Sequence, residues 1–348
     1  MSDTVFNILV PNDDLDLVTR NTLEAVGRHL RLNIIISGPG EGENGGVEAP
    51  PIRSKLDFKA IRFYRGLIRR LGINATFSPS TSGLATMIGA TFGRGKVRHI
   101  GYRGTQAKVH RSDPANHLAL LNRRVSHVIC ETPDIISYLA PLVGAEKVSG
   151  MPKPFLLSWV DEALANPKSV EGQPKDALKL IYIGMAKGRP HKGLRQLIDA
   201  MALLKDQPVV LTVIGSAEEA DIAAAPESVT FLGPRRDAVC YIPTHNLFML
   251  TSTRDASPRV VREAQACGVP CVVTDIPGAR DLIVNEKTGL LIAPDSPDAI
   301  ADAIMRELGN PAELAAMAAR TRRHIEENFS FEKYTDYYTN LFLKICSE

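Results

Sequence analysis

Leu180-Ile-Tyr-Ile-Gly-Met-Ala-Lys-Gly-Arg-Pro-His-Lys-Gly-Leu-Arg-Gln-Leu-Ile-Asp-Ala200 passes from an apolar run, through a basic glycine-bearing loop, into a segment with helical spacing. A short run apolar at every position reads as a strand buried on both faces, as in a parallel sheet. The same unit recurs on both sides of this stretch. Downstream, Val209–Ile214, Val229–Phe231, Leu247–Leu250, Cys271–Thr274 and Leu290–Ile292 read as strands. Helices are expected over Gly193–Leu204, Pro258–Cys267, Ala279–Ile283, Pro297–Leu308 and Pro311–Glu327. Upstream, strands are expected at Phe6–Val10, Leu32–Ser37, Ala75–Pro79, Val97–Tyr102 and Val128–Cys130. They alternate with helices over Thr19–Leu30, Phe58–Leu71, Leu84–Phe92 and Pro133–Leu142. Strands alternating with helices of this length mean parallel sheets with right-handed crossovers. A stretch holding Pro152, Pro154, Pro167 and Pro174 lacks periodicity and is expected to link two doubly wound, Rossmann-like α/β domains. Ligands of such sheets bind at the carboxyl ends of the strands, so a cleft between the domains is the default site.

Composition agrees with a globular enzyme of two domains. The chain has 348 residues, 44% apolar and 23% charged, which excludes disordered, collagen-like and coiled-coil chains. No apolar window is long enough for a membrane span, and Met1–Val10 lacks the features of a secretory signal. Five widely spaced cysteines point away from a disulfide framework and toward a reducing cytosol. The net charge of +2 hides an asymmetry: residues 1–150 hold 19 Lys and Arg against 13 Asp and Glu. The balance is too weak to argue for nucleic-acid binding.

Gly40-Glu-Gly-Glu-Asn-Gly45 matches a dinucleotide fingerprint in letters only. Glu41 and Glu43 would repel a pyrophosphate, and Gly46-Val-Glu-Ala-Pro-Pro51 cannot open a helix, so it reads as a flexible surface loop. An NAD-dependent oxidoreductase, which two such domains would permit, fails on this context.

Thr251–Pro294 is more informative. After the strand ending at Leu250, a polar loop leads to Pro258 at the first turn of a helix. Asp255 lies in the loop and Glu263 in the helix. The backbone N–H groups of Ala256 and Ser257 and the helix dipole make an anion site between two carboxylates. Phosphate on the helix end and sugar hydroxyls on the carboxylates would describe a nucleotide sugar; the plain reading is a solvated loop before a surface helix.

This block resembles the nucleotide-sugar signature of family 4 glycosyltransferases, which have the GT-B fold and retain anomeric configuration. The family's paired acids stand here as Asp255-x7-Glu263. The resemblance implies that Glu263 bonds the nucleotide ribose and that Asp255 meets donor-sugar hydroxyls. Lys192-Gly193 matches the family's Lys-Gly pair, and Arg189 or Lys187 would supply the second cation clamping the diphosphate. Gly184, Ala256, Ser257, Pro258, Arg259 and Val260 would surround the donor. Arg103, in Gly101-Tyr-Arg-Gly-Thr105, stands where the family often has His, giving Asp255, Arg103 and Lys192 as the catalytic set. Phe331–Cys346 resembles the helix that crosses back to the first domain, so the expected division is 1–172, 173–328 and 329–348. Thr132 is expected to cap its helix. Asp14-x-Asp16 reads as a surface loop.

The resemblance implies a nucleotide-sugar donor as substrate, no metal and no cofactor, with front-face attack and the leaving phosphate taking the acceptor's proton. A UDP- or GDP-sugar would feed a saccharide or lipid-linked acceptor in lipopolysaccharide, exopolysaccharide or glycolipid synthesis. A donor-binding protein of the same fold without transfer is the alternative. Residues 53–70 hold seven cations and one acid. As a helix they would gather Lys55, Lys59, Arg62 and Arg69, and either dock an anionic membrane or pack on the core with a solvated basic face. A cytoplasmic protein is expected, peripheral on the cytoplasmic face of the inner membrane if this helix docks.

Overall fold

The computed structural model describes residues 4–93, 97–105, 107–255 and 258–348. The chain forms two units, one of residues up to Pro154 together with Phe331–Glu348, the other Phe155–Ser330. In the first unit the strands are β1 (Phe6–Pro11), β2 (Leu32–Gly38), β3 (Val47–Glu48), β4 (Ala75–Ser78), β5 (Arg98–Arg103), β6 (Val125–Cys130) and β7 (Val148–Gly150). They pair in parallel in the order β3-β2-β1-β4-β5-β6-β7. Its helices are α1 (Leu17–Val26), α2 (Phe58–Leu71), α3 (Thr81–Ala90), α4 (Pro114–His117) and α5 (Pro133–Val143).

The second unit holds α6 (Asp161–Ala165), β8 (Leu178–Ile183), α7 (Leu194–Leu203), β9 (Val209–Ile214), α8 (Glu219–Ala224), β10 (Val229–Gly233) and β11 (Leu247–Leu250). It continues through α9 (Arg259–Ala266), β12 (Cys271–Thr274), β13 (Gly289–Ile292), α10 (Pro297–Leu308) and α11 (Pro311–Asn328). Its parallel sheet runs β10-β9-β8-β11-β12-β13. The last helix, α12 (Phe331–Ser347), returns to the first unit.

Strand alternation distributes each apolar run to two cores. Ile8 and Val10 of β1 meet Tyr334, Tyr338 and Phe342 of α12, whereas Leu9 between them meets Tyr64, Leu67 and Ile68 of α2. In the second unit Leu180 and Tyr182 face α7 and α10, and Ile181 faces α9. Side-chain caps begin some of the helices: Asp16 accepts from the backbone N–H of Val18 and Thr19, and Thr132 from that of Ile135.

Two expectations need correction. The boundary lies at Pro154, because Phe155 and Val160 are buried against Ile181 and α9, and the Phe155 N–H donates to the Phe329 carbonyl at 3.0 Å. The prolines of this stretch hide an apolar segment, with a 3-10 turn over Leu157–Val160 and then α6. The second concerns Gly40–Gly45, which is no flexible loop. Glu41–Asn44 forms a 3-10 turn in which buried Glu41 pairs with Arg20 and accepts from Asn12. Asp14 and Asp16 lie exposed in the loop between β1 and α1, as the sequence suggests, and Asp16 there caps α1 and pairs with Lys153 at 3.0 Å.

Candidate functional site

The carboxyl ends of β8, β9 and β11, with the segment after β10, enclose a cavity of about 760 Å³ in the second unit. β8 is where the strand order reverses, the place where open α/β sheets bind ligands. Two glycines set the loops around it. Gly193 has φ +69°, and a Cβ there would stand 1.8 Å from the Thr251 carbonyl oxygen. The Thr251 hydroxyl donates to the Gly193 carbonyl at 2.8 Å, which pins the basic loop onto the end of β11. Gly215, at φ +127°, would place a Cβ 1.9 Å from the Gly184 carbonyl oxygen. Only glycine lets these turns approach so closely.

The structure brings Gly184, Arg189, Lys192, Asp255, Pro258, Arg259 and Val260 to this cavity. Ala256 and Ser257 lie outside the described residues. Lys187 is not in the lining; its backbone N–H donates to Ser216 Oγ at 3.2 Å and its side chain is exposed. Lys192 and Asp255, assigned by resemblance to different parts of a ligand, form one ion pair, Nζ to Oδ2 2.7 Å. Glu263 is buried and is not part of the lining; its Oε1 lies 2.8 Å from Arg259 Nε. Burial raises its carboxyl above the ordinary value, against the lowering effect of Arg259. The Arg259 guanidinium also stacks 4.2 Å from the ring centre of Trp159, so a carboxylate and an aromatic face orient it at the cavity wall.

Sequence reading missed Arg235 and Arg236, which follow β10 and line the cavity. Asp237 holds Arg235 by a two-pronged contact at 2.9 Å. The signal was a pair of cations directly after a strand end, in Gly233-Pro-Arg-Arg-Asp237. Ser252 also lines the cavity, and among the described residues its buried hydroxyl has no hydrogen-bond partner. Arg189, Lys192, Arg235, Arg236 and Arg259 face one lining carboxylate, Asp255, while Ile183, Ile214, Leu250 and Val260 supply apolar wall. Such a site suits an anionic group joined to a flat or apolar one.

Arg103 belongs to the first unit, at the carboxyl end of β5, where it lines a cavity of about 350 Å³. Its guanidinium donates to the Ala107 carbonyl, and burial lowers its pKa. Asp14, Asp16 and Glu131 share this cavity with Lys153. Tyr102 donates to Glu131 Oε2 at 2.8 Å, and Lys153 stands 5.2 Å from the Tyr102 ring centre. Burial acts to raise the Asp16 pKa, but the charge of Lys153 and the hydrogen bonds from Thr19 and Lys153 together outweigh it and hold the carboxyl below its usual range. Among the described residues no cluster of three or more His, Cys, Asp or Glu could hold a metal ion.

Residues 177–310 match the family described as glycosyl transferases group 1. The chain is similar to the N,N'-diacetylbacillosaminyl-diphospho-undecaprenol alpha-1,3-N-acetylgalactosaminyltransferase of Campylobacter jejuni, 28% identical over 168 residues. That match covers 46% of this chain and 44% of the relative, less than half of its length. Among solved structures, a glycosyltransferase from Rickettsia africae superposes with a TM-score of 0.79 at 15% identity, covering 98% of each chain. Anabaena HepE, solved in complex with UDP, superposes at 0.73 and 17% identity, covering 98% of this chain and 100% of its own. The chain therefore has the α/β GT-B fold, and residues 177–310 of its second unit match the glycosyl transferases group 1 family.

Proposed function

We propose that the chain is a retaining glycosyltransferase that moves a sugar from a UDP- or GDP-sugar to a saccharide or lipid-linked acceptor. The observation that carries this reading is the convergence of Arg189, Lys192, Arg235 and Arg236 on a cavity with apolar walls at the strand ends of a group 1 domain. The diphosphate would lie among these cations, and the base against the apolar wall. The bond from the anomeric carbon to the phosphate oxygen breaks as the acceptor oxygen bonds to the same face. The acceptor's hydroxyl proton passes to the leaving phosphate. Preorganised cations that bind the leaving charge more tightly as it grows lower the barrier. Asp255, tied to Lys192, would turn from that ion pair toward the sugar hydroxyls, and Glu263 would reach the ribose by exchanging Arg259. Because the charge in the cavity comes from side chains, we propose that no metal is needed. The C. jejuni relative's name contains a diphospho-undecaprenol acceptor, which supports a lipid-linked acceptor here.

Trp159 is the single tryptophan and touches Arg259, so its fluorescence reports on the cavity. Titrating UDP-, GDP- and ADP-sugars with chelator present should give a saturable change for one base. Glu263→Ala should abolish that binding, whereas Asp255→Ala should keep nucleotide binding and lose transfer. Equal affinity in wild type and Glu263→Ala would end the ribose assignment.

Membrane attachment belongs to the same proposal. α2 buries Ala60, Tyr64, Leu67 and Ile68 and leaves Lys59, Arg62, Arg69 and Arg70 outward, with Phe58 75% exposed beside them. Lys55 does not join this face; it precedes the helix and donates to the Ala115 carbonyl at 3.2 Å. The helix therefore packs on the core and also presents a basic, aromatic-bearing face, which suits an anionic bilayer at about 1 kcal/mol per cation. Among the described residues no helix is long and apolar enough to cross a membrane. Arg62→Glu with Arg69→Glu should release the chain from phosphatidylglycerol vesicles in a sedimentation assay, and unchanged sedimentation would refute docking.

A further inference from the structure

β5 has its last residue, Arg103, in the cavity with Asp14 and Asp16, and its first residue, Arg98, in another cavity of about 410 Å³. This second space lies at the amino ends of β5 and β6, against the 3-10 turn Ala145–Lys147 and the last turn of α12. Arg98, Arg123, Lys147 and Lys344 line it, against two carboxylates, Glu146 and Glu348. Among the described residues none of these four cations lies within 4.0 Å of a carboxylate oxygen. Arg124, also in the lining, donates to the carbonyls of Ile88 and Thr91 at 2.9 and 3.0 Å.

A buried histidine also stands in this wall. His127 is buried there, Nε2 2.7 Å from Ser149 Oγ, which is 2.7 Å from the Tyr337 hydroxyl. Burial lowers its imidazole to about 4, and the charge of Lys344 adds to that. The carbonyl end of α12 contributes about half a negative charge, which leaves the cationic excess in place. Like charges gathered in a concave, partly desolvated space repel one another, and a multivalent anion relieves that repulsion. Guanidinium groups match phosphate oxygens in geometry as well as charge.

We propose that this cavity binds a phosphate- or diphosphate-bearing ligand through Arg98, Arg123, Lys147 and Lys344. The site is independent of the donor reading, since all of it lies in the first unit and none of it in residues 177–310. The probe is inorganic pyrophosphate, titrated calorimetrically into the Lys192→Ala chain so that the second unit's cavity is weakened. One binding event should remain, and adding Arg123→Gln with Lys344→Gln should weaken it about tenfold or more. Arg123→Lys with Lys344→Arg, which keeps both charges, should hold affinity within about twofold. Unchanged affinity in the glutamine pair, or equal loss in the charge-keeping pair, would overturn the proposal. A parallel arm uses phosphatidylglycerol vesicles. Weaker sedimentation of the glutamine pair than of its parent assigns the phosphate to a lipid headgroup; equal sedimentation assigns it to a soluble molecule.

Discussion

The two units place cavities at equivalent strand ends and charge them differently. The second unit's cavity sets five cations against Asp255, whereas the first unit's sets Arg103 and Lys153 against Asp14, Asp16 and Glu131. Their supports differ as well. Gly193 and Gly215 let main chain meet main chain in the second unit, where side-chain ion pairs and Tyr102 brace the first. Residues 177–310, the stretch matching the family, lie wholly in the second unit. The lesson is that the second unit's cavity rests on backbone geometry that few sequences satisfy. A carboxylate-rich pocket is built from side chains that can be exchanged one at a time.

The largest expected effect separates the two cavities. Lys192→Ala should lower kcat/KM by roughly 100-fold to 1000-fold, the range for losing one preorganised group that binds developing charge. Arg103→Ala should leave nucleotide-sugar affinity in place while reducing turnover. Steady-state kinetics beside Trp159 fluorescence titration will show whether the roles divide this way, and loss of donor affinity in Arg103→Ala would erase the contrast. Next comes Gly193→Ala. A side chain at φ +69° against the Thr251 carbonyl costs about 1–3 kcal/mol in strain. Denaturant unfolding and donor affinity should both suffer, and a variant as stable as wild type would show that the loop is not pinned as described.

The smallest effect is one of pH. His99 is buried in the first unit between Thr76 and Thr91, each hydroxyl 2.8 Å from a ring nitrogen, and burial lowers it to about 3, with Arg124 adding. His127 of the same unit is lowered to about 4, as is His245 of the second. A depressed folded pKa gives stability that is complete above the ordinary histidine value of 6.5 and is lost as pH falls below it. Each such histidine contributes a slope of up to about 1.4 kcal/mol per pH unit. His191 and His324 of the second unit are also lowered, but less far; with two strongly lowered histidines against one, the first unit should loosen first between pH 6.5 and 4. Far-UV circular dichroism should change before the fluorescence of Trp159, which sits in the second unit. Coincident transitions would count against this difference.

Much of the fold was legible because burial on both faces leaves uninterrupted apolar runs. β9, β11 and β12 fall where Val209–Ile214, Leu247–Leu250 and Cys271–Thr274 predict them, and β8 contains the apolar run that opens at Leu180. β3 and β7 were not legible: Val47–Glu48 and Val148–Gly150 are too short for periodicity and sit at the sheet edges. At the site, Pro258 and Asp255 could be placed by the helix start they flank. The ion pair joining Lys192 to Asp255 spans 63 positions and exists only because β8 and β11 are neighbours. Arg235 and Arg236 were missed for the same reason, since sheet order rather than local pattern brings them to the cavity. The first unit's cavity was nearly invisible, because carboxylates after a strand resemble any turn.

α12 gives the first unit a second consequence. Phe77 of β4 packs edge-on against Tyr338 at 5.7 Å and beside Phe342 at 5.8 Å, so one layer of that core is made by residues translated after the entire second unit. Domains usually fold in the order in which the ribosome delivers them. Here the later-encoded unit is the first to be whole, and the earlier one must wait with an open apolar face until the final helix emerges. A stop just before Tyr334 would leave Phe155–Ser330 whole and strip Tyr334, Tyr338 and Phe342 from the core of the other unit.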